Sequence, residues 1–342
     1  MEEMRAAVCE RPHKLTIMDV PKPEPARGQA VVRVKAAGVC GSDVDGYLGR
    51  HPWISHPIIL GHECAGVVDG VGPGAAAFGP GEAVVVEPFF VCGRCPNCLR
   101  GRYNMCREIT IIGHQVPGAF AEYVLIGQRF LHRLPEGVSF EAGALAEPIS
   151  GALHAVGRCR LGIGDLVAIL GCGTIGYFLT QHSVGSGARV LVSEPDARKR
   201  RAALDAGALW AVDPEAEDPA QKVMELTGGL GADCVMEAVG DPETIRQSVA
   251  LARKGGTVLL MGWTGNETDP LDCTRVTLDE MTLLGTMGFA WDFPVALDLL
   301  ARGRIDAERI ITHRLPLERA EEALQTLHEK RGGVWKVMIV FD

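Results

Sequence analysis

The feature that most constrains the fold of this chain is an alternation of short apolar strands and helical segments that begins near residue 160. Residues 166–170 are all apolar and lead through a glycine-rich turn into a helical pattern over 174–186. The same order recurs, with strands expected at 190–192, 234–236 and 257–260 and helices at 196–206 and 242–252. Parallel strands need a crossover helix, so the alternation predicts a doubly wound parallel sheet.

The turn after the first of these strands has the glycine spacing of a dinucleotide-binding loop. Gly171, Gly173 and Gly176 follow the strand directly and open the helix, with Ile175 between them. Such glycines let the chain turn tightly and let a pyrophosphate approach the positive end of the helix. We therefore expect these four residues to bind a dinucleotide.

An acidic residue at the end of the next strand bears on the choice of dinucleotide. Glu194 lies 18 residues beyond Gly176, where a carboxylate can accept hydrogen bonds from an adenosine ribose diol. The same carboxylate would repel a 2′-phosphate, so NAD is favoured over NADP. Lys199, which we expect to contact the cofactor, lies in the basic run 198–201, and that run could also neutralise a phosphate.

The chain before residue 157 follows a different pattern. Short β-branched runs at 31–34, 67–68, 84–86 and 123–125 are broken by Gly and Pro, which is typical of an all-β region. Beyond residue 290 the alternation weakens, and two helices at 294–302 and 317–330 precede a strand at 334–340. We therefore expect an α/β protein in which 1–157, completed by 290–342, forms a β-rich domain and 158–289 binds the cofactor.

Length and charge exclude several classes of protein. A chain of 342 residues is too long for one core, which agrees with two domains. Its net charge of −9 disfavours nucleic acid or an anionic membrane as the main partner, because both need a basic face. No apolar run reaches the roughly 18 residues of a membrane span, and no secretory signal is visible. We expect a cytoplasmic protein.

In a reducing cytoplasm, the 11 cysteines are better explained by metal binding than by disulfides. Four of them, Cys92, Cys95, Cys98 and Cys106, lie within 15 residues. Their spacing suits a closed tetrahedral Zn²⁺ site that stabilises a lobe and performs no chemistry. An iron–sulfur cluster and four buried free thiols are the alternatives.

A second set of possible ligands is dispersed along the first domain. Cys40, His62, Glu63 and Glu147 offer a thiolate, an imidazole and carboxylates, a mixed set that leaves Zn²⁺ an open position. Asp43 would orient His62 by accepting its ring N–H. Taken singly, each residue is as well explained by a place in the core.

In this order, these features resemble the zinc-dependent medium-chain dehydrogenases, which include alcohol, polyol and threonine dehydrogenases. The segment 61–72 is similar to the zinc signature of that family. The resemblance implies a GroES-like first domain, a Rossmann-type second domain and two zinc ions per subunit. It also implies a catalytic zinc held by Cys40, His62 and Glu63, with Glu147 as fourth ligand or as partner of the zinc-bound water.

The resemblance further implies that a hydride passes between a secondary alcohol and nicotinamide through a zinc-bound alkoxide. Ser42 would lie beside the reacting oxygen and relay its proton toward Asp45 or solvent. Glu63 and the segment 147–150 look more like sorbitol and xylitol dehydrogenases than like ethanol-type enzymes. Gly288, however, stands where polyol dehydrogenases typically have arginine, and Asp45 where a histidine often ends the relay. We expect a polyol, sugar or related polar alcohol as substrate, with an L-threonine 3-dehydrogenase as the alternative.

Two other functions fit the sequence less well. A zinc-independent quinone reductase would have no reason to retain Cys40, His62 and the four-cysteine lobe together. A zinc-ribbon module that binds nucleic acid is disfavoured by the net acidity. Because the edge near 281–288 suits strand pairing between subunits, we expect a homodimer or homotetramer.

Overall fold

The computed structural model describes residues 2–263, 265 and 271–342, and it separates into two compact units. The first unit comprises Met1–Glu147 and Ala290–Asp342, and the second comprises Pro148–Phe289. The first boundary therefore lies at Glu147 rather than at residue 157. It falls in the first turn of a continuous helix, Ala146–Cys159, where no linker composition marks it.

The amino-terminal part of the first unit is built mainly from short antiparallel strands. Its elements are β1 (Glu3–Arg11), β2 (Lys14–Pro21), β3 (Gln29–Gly38), α1 (Gly41–Tyr47), β4 (Ile58–Ile59), β5 (Glu63–Val71), β6 (Ala83–Val86), β7 (Phe89–Phe90), α2 (Pro96–Leu99), β8 (Thr110–Ile111), β9 (Tyr123–Gly127), β10 (Leu131–Arg133) and α3 (Phe140–Ala144). The four strands predicted from β-branched runs are confirmed as parts of β3, β5, β6 and β9.

The second unit follows the predicted alternation of strands and helices. Its elements are α4 (Ala146–Cys159), β11 (Leu166–Leu170), α5 (Thr174–Gly185), β12 (Arg189–Ser193), α6 (Ala197–Asp205), β13 (Trp210–Val212), α7 (Pro219–Thr227), β14 (Ala232–Glu237), α8 (Pro242–Leu251), β15 (Ala252–Leu260), α9 (Cys273–Leu278) and β16 (Thr282–Gly285). The strand β13 and the helix α7 were not anticipated, because their apolar runs are short or mixed with charge, whereas β16 lies within the edge expected near 281–288.

The six strands of this unit form one parallel sheet in the order β13-β12-β11-β14-β15-β16. The strand β11 is buried along its whole length, which matches its continuous apolar sequence. The strand order reverses between β11 and β14. Ligands of open α/β sheets bind outside the carboxyl ends of the strands at such a reversal, and the glycine-rich turn follows β11 at that point.

The carboxyl-terminal segment returns to the first unit. It contributes α10 (Phe293–Ala301), β17 (Ile311–Pro316), α11 (Ala320–His328) and β18 (Lys336–Val340). The strand β18 lies between β3 and β17 in a sheet of order β10-β6-β5-β3-β18-β17, with β9 also paired to β3. Smaller sheets of order β2-β1-β4 and β7-β8 complete the unit. Among the residues described, no helix is both long and apolar enough to cross a bilayer.

Candidate active site

The four clustered cysteines converge in the lobe between β7 and β8. The Sγ atom of Cys92 lies 3.9 Å from that of Cys98 and 3.5 Å from that of Cys106, and the sulfurs of Cys95 and Cys98 are 3.6 Å apart. The helix α2 begins directly after Cys95 and ends just beyond Cys98, so one helical turn brings this pair together. The ligand atoms form one group that can hold a metal ion.

Backbone amides favour thiolates in this lobe. The amide of Cys95 donates to the sulfur of Cys92 at 3.4 Å, and the amide of Glu108 donates to the sulfur of Cys106 at 3.3 Å. The backbone amides of Arg107 and Cys98 lower the pKa of Cys95 to about 6. Amide donors and four sulfurs are what a structural S₄ zinc site requires.

The second cluster is set by the register of β3 and β5. These strands are antiparallel, and Gly38 at the end of β3 pairs with Glu63 at the start of β5. Cys40, two residues past β3 and at the N-cap of α1, therefore meets His62 and Glu63. One ligand atom from each lies within 4.8 Å of the others. A thiolate, an imidazole and a carboxylate fit a zinc ion that keeps an open position.

Asp43 lies against the ring of His62. Its carboxylate is fully buried, and its Oδ1 lies 3.4 Å from Nδ1 of His62. The same carboxylate accepts the amide of Gly61 at 2.9 Å and that of Cys40 at 2.9 Å. Burial opposes charge here, but Asp43 and Cys40 outweigh it and raise the pKa of His62 well above its usual range. Asp43 thus lies beside Nδ1 at ion-pair distance, although Nδ1 has no hydrogen-bond partner among the described residues. The other ring nitrogen is then the one that can face a metal.

Sequence reasoning missed the cation that accompanies Glu63. The ammonium of Lys336 on β18 lies 2.7 Å and 2.6 Å from the two carboxylate oxygens of Glu63, and it donates to the carbonyl of Val39 at 2.9 Å. Lys336 is 2% exposed and Glu63 is 1% exposed. Burial alone would lower the pKa of Lys336, but the charges of Glu63 and Cys40 raise it. The pair is therefore a buried ion pair.

Space for this pair depends on one glycine. A Cβ atom on Gly38 would lie 2.1 Å from Oε2 of Glu63 and 3.0 Å from Cε of Lys336. No side chain larger than hydrogen fits between the two strands at this register position. Gly38 therefore determines where the carboxylate beside Cys40 and His62 can lie.

Ser42 and Asp45, the residues of the predicted proton relay, lie on α1. The hydroxyl oxygen of Ser42 is buried and has no hydrogen-bond partner among the described residues, which leaves it available to a bound alcohol. Asp45 accepts two hydrogen bonds from the guanidinium of Arg50, at 3.1 Å and 2.8 Å. The carboxylate of Asp45 is therefore held by an arginine of the same segment.

Glu147 lies in the first turn of α4 and outside the group formed by Cys40, His62 and Glu63. Burial raises the pKa of Glu147 to about 7, while the charge of His62 lowers it and that of Glu63 raises it again. The charges of this cluster thus influence Glu147, although its carboxylate is not among the grouped ligand atoms. Of its two predicted roles, a polar partner at the open position agrees better with this arrangement than direct ligation.

The glycine-rich turn has the geometry its spacing predicts. Gly171 has φ +89°, and a Cβ atom on Gly176 would lie 2.0 Å from the carbonyl oxygen of Gly171. Gly173 is the N-cap of α5, and Ile175 is in its first turn. The close approach of Gly176 packs the helix against the turn and leaves the helix N-terminus open to a phosphate.

Glu194 lies directly after β12 and is 7% exposed. Its carboxylate accepts the amide of Cys172 at 2.7 Å and the amide of Asp196 at 3.0 Å. The neighbouring guanidinium of Arg198 pairs with Asp196 at 2.6 Å, and Lys199 lies on α6 beside it. The acidic residue predicted for the ribose is thus fixed against the glycine-rich turn.

Both units match families of known proteins. The alcohol dehydrogenase GroES-like domain matches residues 26–136, and the zinc-binding dehydrogenase family matches residues 174–302. A sorbitol dehydrogenase from Bacillus subtilis is 30% identical, with 99% of this chain and 97% of that protein covered. The chain belongs to the zinc-dependent medium-chain dehydrogenases. The predicted family and the combination of a GroES-like domain with a Rossmann-type sheet are confirmed, and the chain is an oxidoreductase.

Further dehydrogenases extend this similarity. A 2-dehydro-3-deoxy-L-galactonate 5-dehydrogenase from Pseudoalteromonas atlantica is 37% identical over 86% of each chain. The structure of a zinc-binding dehydrogenase from Sinorhizobium meliloti 1021, bound to NADP, superposes with a TM-score of 0.94 at 33% identity and full coverage of both chains. The alcohol dehydrogenase RspB from Escherichia coli, complexed with NADH, gives 0.92 at 28% identity, also with full coverage.

The ion pair at Glu63 leads to a first prediction. In Lys336→Met, Glu63 loses its buried cation, so we expect the free energy of unfolding to fall by about 3–5 kcal/mol in urea titrations of the full chain. The double variant Lys336→Met/Glu63→Gln should recover most of this loss, because no unpaired charge stays buried. Lys14→Met, which breaks an exposed pair with Glu10, serves as control and should cost at most about 1 kcal/mol. Equal losses of unfolding free energy in Lys336→Met and Lys14→Met would contradict the assignment of Glu63 and Lys336 as a buried ion pair.

Proposed function

We propose that this chain is an NAD-dependent dehydrogenase that oxidises a secondary alcohol with further hydroxyl groups, such as a polyol, a sugar or a related compound. The observation that carries the proposal is the group formed by Cys40, His62 and Glu63 beside the unpartnered hydroxyl of Ser42. The four-cysteine lobe can hold a second, structural ion. A purely structural role would explain the lobe but not the mixed set of ligands.

The donor set of the first cluster fits zinc on chemical grounds. One sulfur, one imidazole nitrogen and one carboxylate match the ligand types of catalytic zinc sites. When bound there, zinc acts as a Lewis acid that makes the substrate hydroxyl a stronger acid. When bound at the glycine-rich turn, NAD is the hydride acceptor.

The side chains around this cluster have separate tasks. Asp43 holds the His62 ring in one orientation, and Lys336 holds the carboxylate of Glu63. Ser42 accepts the proton of the substrate hydroxyl by hydrogen bonding and passes it toward solvent. Glu147 offers a further polar group whose protonation is finely balanced.

NAD rather than NADP is proposed because of the charges around Glu194. A 2′-phosphate would meet this carboxylate at the end of β12. Arg198 is already paired with Asp196, and Arg200 pairs with Asp213 at 3.0 Å, so two nearby cations are engaged. The ribose diol of NAD would instead donate to the carboxylate.

The proposal is tested by following coenzyme reduction with polyols, sugars, inositols, sugar acids and hydroxy-amino acids, with zinc measured by atomic emission. We expect activity on polyhydroxylated alcohols and two zinc ions per chain. Cys40→Ser should lose one zinc and roughly 10³-fold in kcat, because several kcal/mol of Lewis-acid stabilisation disappear. Cys98→Ser should lose the other zinc and mainly reduce stability.

The exposed Cys273 supplies the matched control, since Cys273→Ser should keep both ions and full turnover. A Cys40→Ser protein with full activity would refute the catalytic assignment. A strong preference for L-threonine over all polyols would replace the proposed substrate class by that of a threonine 3-dehydrogenase.

Coenzyme choice gives a separate prediction. We expect kcat/KM to be roughly 10- to 100-fold higher with NAD than with NADP, since the ribose contributes hydrogen bonds and the phosphate meets a carboxylate. Glu194→Ser should reduce this ratio to near one, whereas Glu215→Ser, at an exposed acid of the same unit, should leave it unchanged. Comparable rates with both coenzymes in the unaltered enzyme would overturn the role of Glu194.

We also propose that β16 pairs with its counterpart in a second copy. It is one of the two edge strands of the six-stranded sheet, so one row of its backbone groups is unpaired among the described residues, and Leu283 on it is 37% exposed. Light scattering should give two or four times the chain mass of 36.6 kDa. Leu283→Asp should lower the mass of the assembly, while Leu230→Asp, at a leucine 72% exposed elsewhere in this unit, should not. A monodisperse monomer would be incompatible with this proposal.

A further inference from the structure

A histidine outside both groups of metal ligands lies against the proposed catalytic cluster. The ring of His114 packs edge to face on that of His62, with 5.1 Å between centroids, and lies 4.7 Å from the ring of His51. His114 is 6% exposed. It comes from the turn between β8 and β9, far from Cys40 and His62 in sequence.

This turn is fixed to the backbone that precedes His62. A Cβ atom on Gly113 would lie 2.7–2.9 Å from backbone atoms of Gly61, and one on Gly118 would lie 2.3 Å from the carbonyl oxygen of Gly61. The amide of Ala119 donates to the same carbonyl at 2.8 Å. The backbones touch directly, so the position of His114 relative to His62 is set by packing and not by a flexible loop.

The ring of His114 is nevertheless unsatisfied. Both of its nitrogens are buried, and neither has a hydrogen-bond partner in the described part of the chain. A buried polar group without a partner costs about 1–3 kcal/mol. A buried charge is costly, and no described side chain pairs with this ring. The ring is therefore a neutral imidazole that carries one donor and one acceptor.

His51 supplies a second imidazole beside it. Its Nδ1 accepts the backbone amide of Trp53 at 3.2 Å, which places the proton on Nε2. Burial lowers the pKa of His51, so this ring is also neutral. The nearby guanidinium of Arg50 is occupied by Asp45. This corner of the site thus presents neutral donors and acceptors, which match a hydroxyl group better than a carboxylate or a phosphate.

We propose that His114, supported by His51, binds a hydroxyl group on the carbon next to the one oxidised, and so selects vicinal diols over simple alcohols. This inference rests on the proposed function and names the feature of the substrate that the enzyme recognises. A hydroxyl both donates and accepts, so it satisfies a neutral imidazole that has no hydrogen-bond partner among the residues described.

The test compares butane-2,3-diol with butan-2-ol in the zinc-loaded enzyme with NAD. The unaltered enzyme should prefer the diol in kcat/KM, and His114→Phe, which keeps the ring and removes both nitrogens, should lower that value for the diol by roughly 10- to 100-fold. The loss should appear as a higher KM with kcat little changed, because the contact is to a group that does not react. For butan-2-ol, His114→Phe should change kcat/KM by less than about twofold. His114→Asn, which restores a donor and an acceptor, should recover part of the preference.

His313→Phe, at a histidine on β17 outside this cluster, is the matched control and should behave as the unaltered enzyme. Zinc content and urea unfolding are measured for each variant, since a structural role of His114 would alter these and would lower kcat for both alcohols. An equal loss for both alcohols, or an unchanged preference in His114→Phe, would overturn the inference. Absence of coenzyme reduction with every alcohol in the wider panel would instead refute the proposed function.

Discussion

The buried ion pair between Glu63 and Lys336 is the interaction on which the catalytic cluster depends. A carboxylate 1% exposed to solvent is costly, and only a close cation with further hydrogen bonds offsets the loss of hydration. Lys336 meets both conditions, because its ammonium contacts Glu63 and donates to the carbonyl of Val39. The pair fixes the carboxylate of Glu63 beside Cys40 and His62, where a metal ion needs a ligand.

This dependence explains why the chain returns to its first unit at the carboxyl terminus. Lys336 opens β18, which pairs with β3, and β3 in turn pairs with β5. Three adjacent strands therefore position the cation, the thiolate and the carboxylate, and Gly38 provides the space between them. The segment 290–342 is thus part of the site and not only of the core.

Features that lie within one short segment of the chain could be predicted from the sequence, whereas contacts between distant segments could not. The four cysteines and the glycine-rich turn each lie within one short segment, so their spacing alone predicts their geometry. The strands and helices of the second unit were predictable because buried parallel strands are continuously apolar. Glu63 and Lys336, in contrast, are 273 residues apart, and their meeting depends on strand order and register. His114 was missed for the same reason, since an isolated histidine in a turn has no periodicity or spacing that distinguishes it.

Several buried polar atoms around Cys40 lack hydrogen-bond partners. Among the described residues near Cys40, the hydroxyl of Ser42, both nitrogens of His114 and Nδ1 of His62 are buried without a hydrogen-bond partner. Most buried polar groups in folded proteins are paired, and the exceptions concentrate where a ligand completes them. Asp43, by contrast, is satisfied by the amides of Gly61 and Cys40, as a residue that only positions a ligand should be. The contrast separates Asp43, which positions its neighbours, from Ser42 and His114, whose polar atoms a substrate can complete.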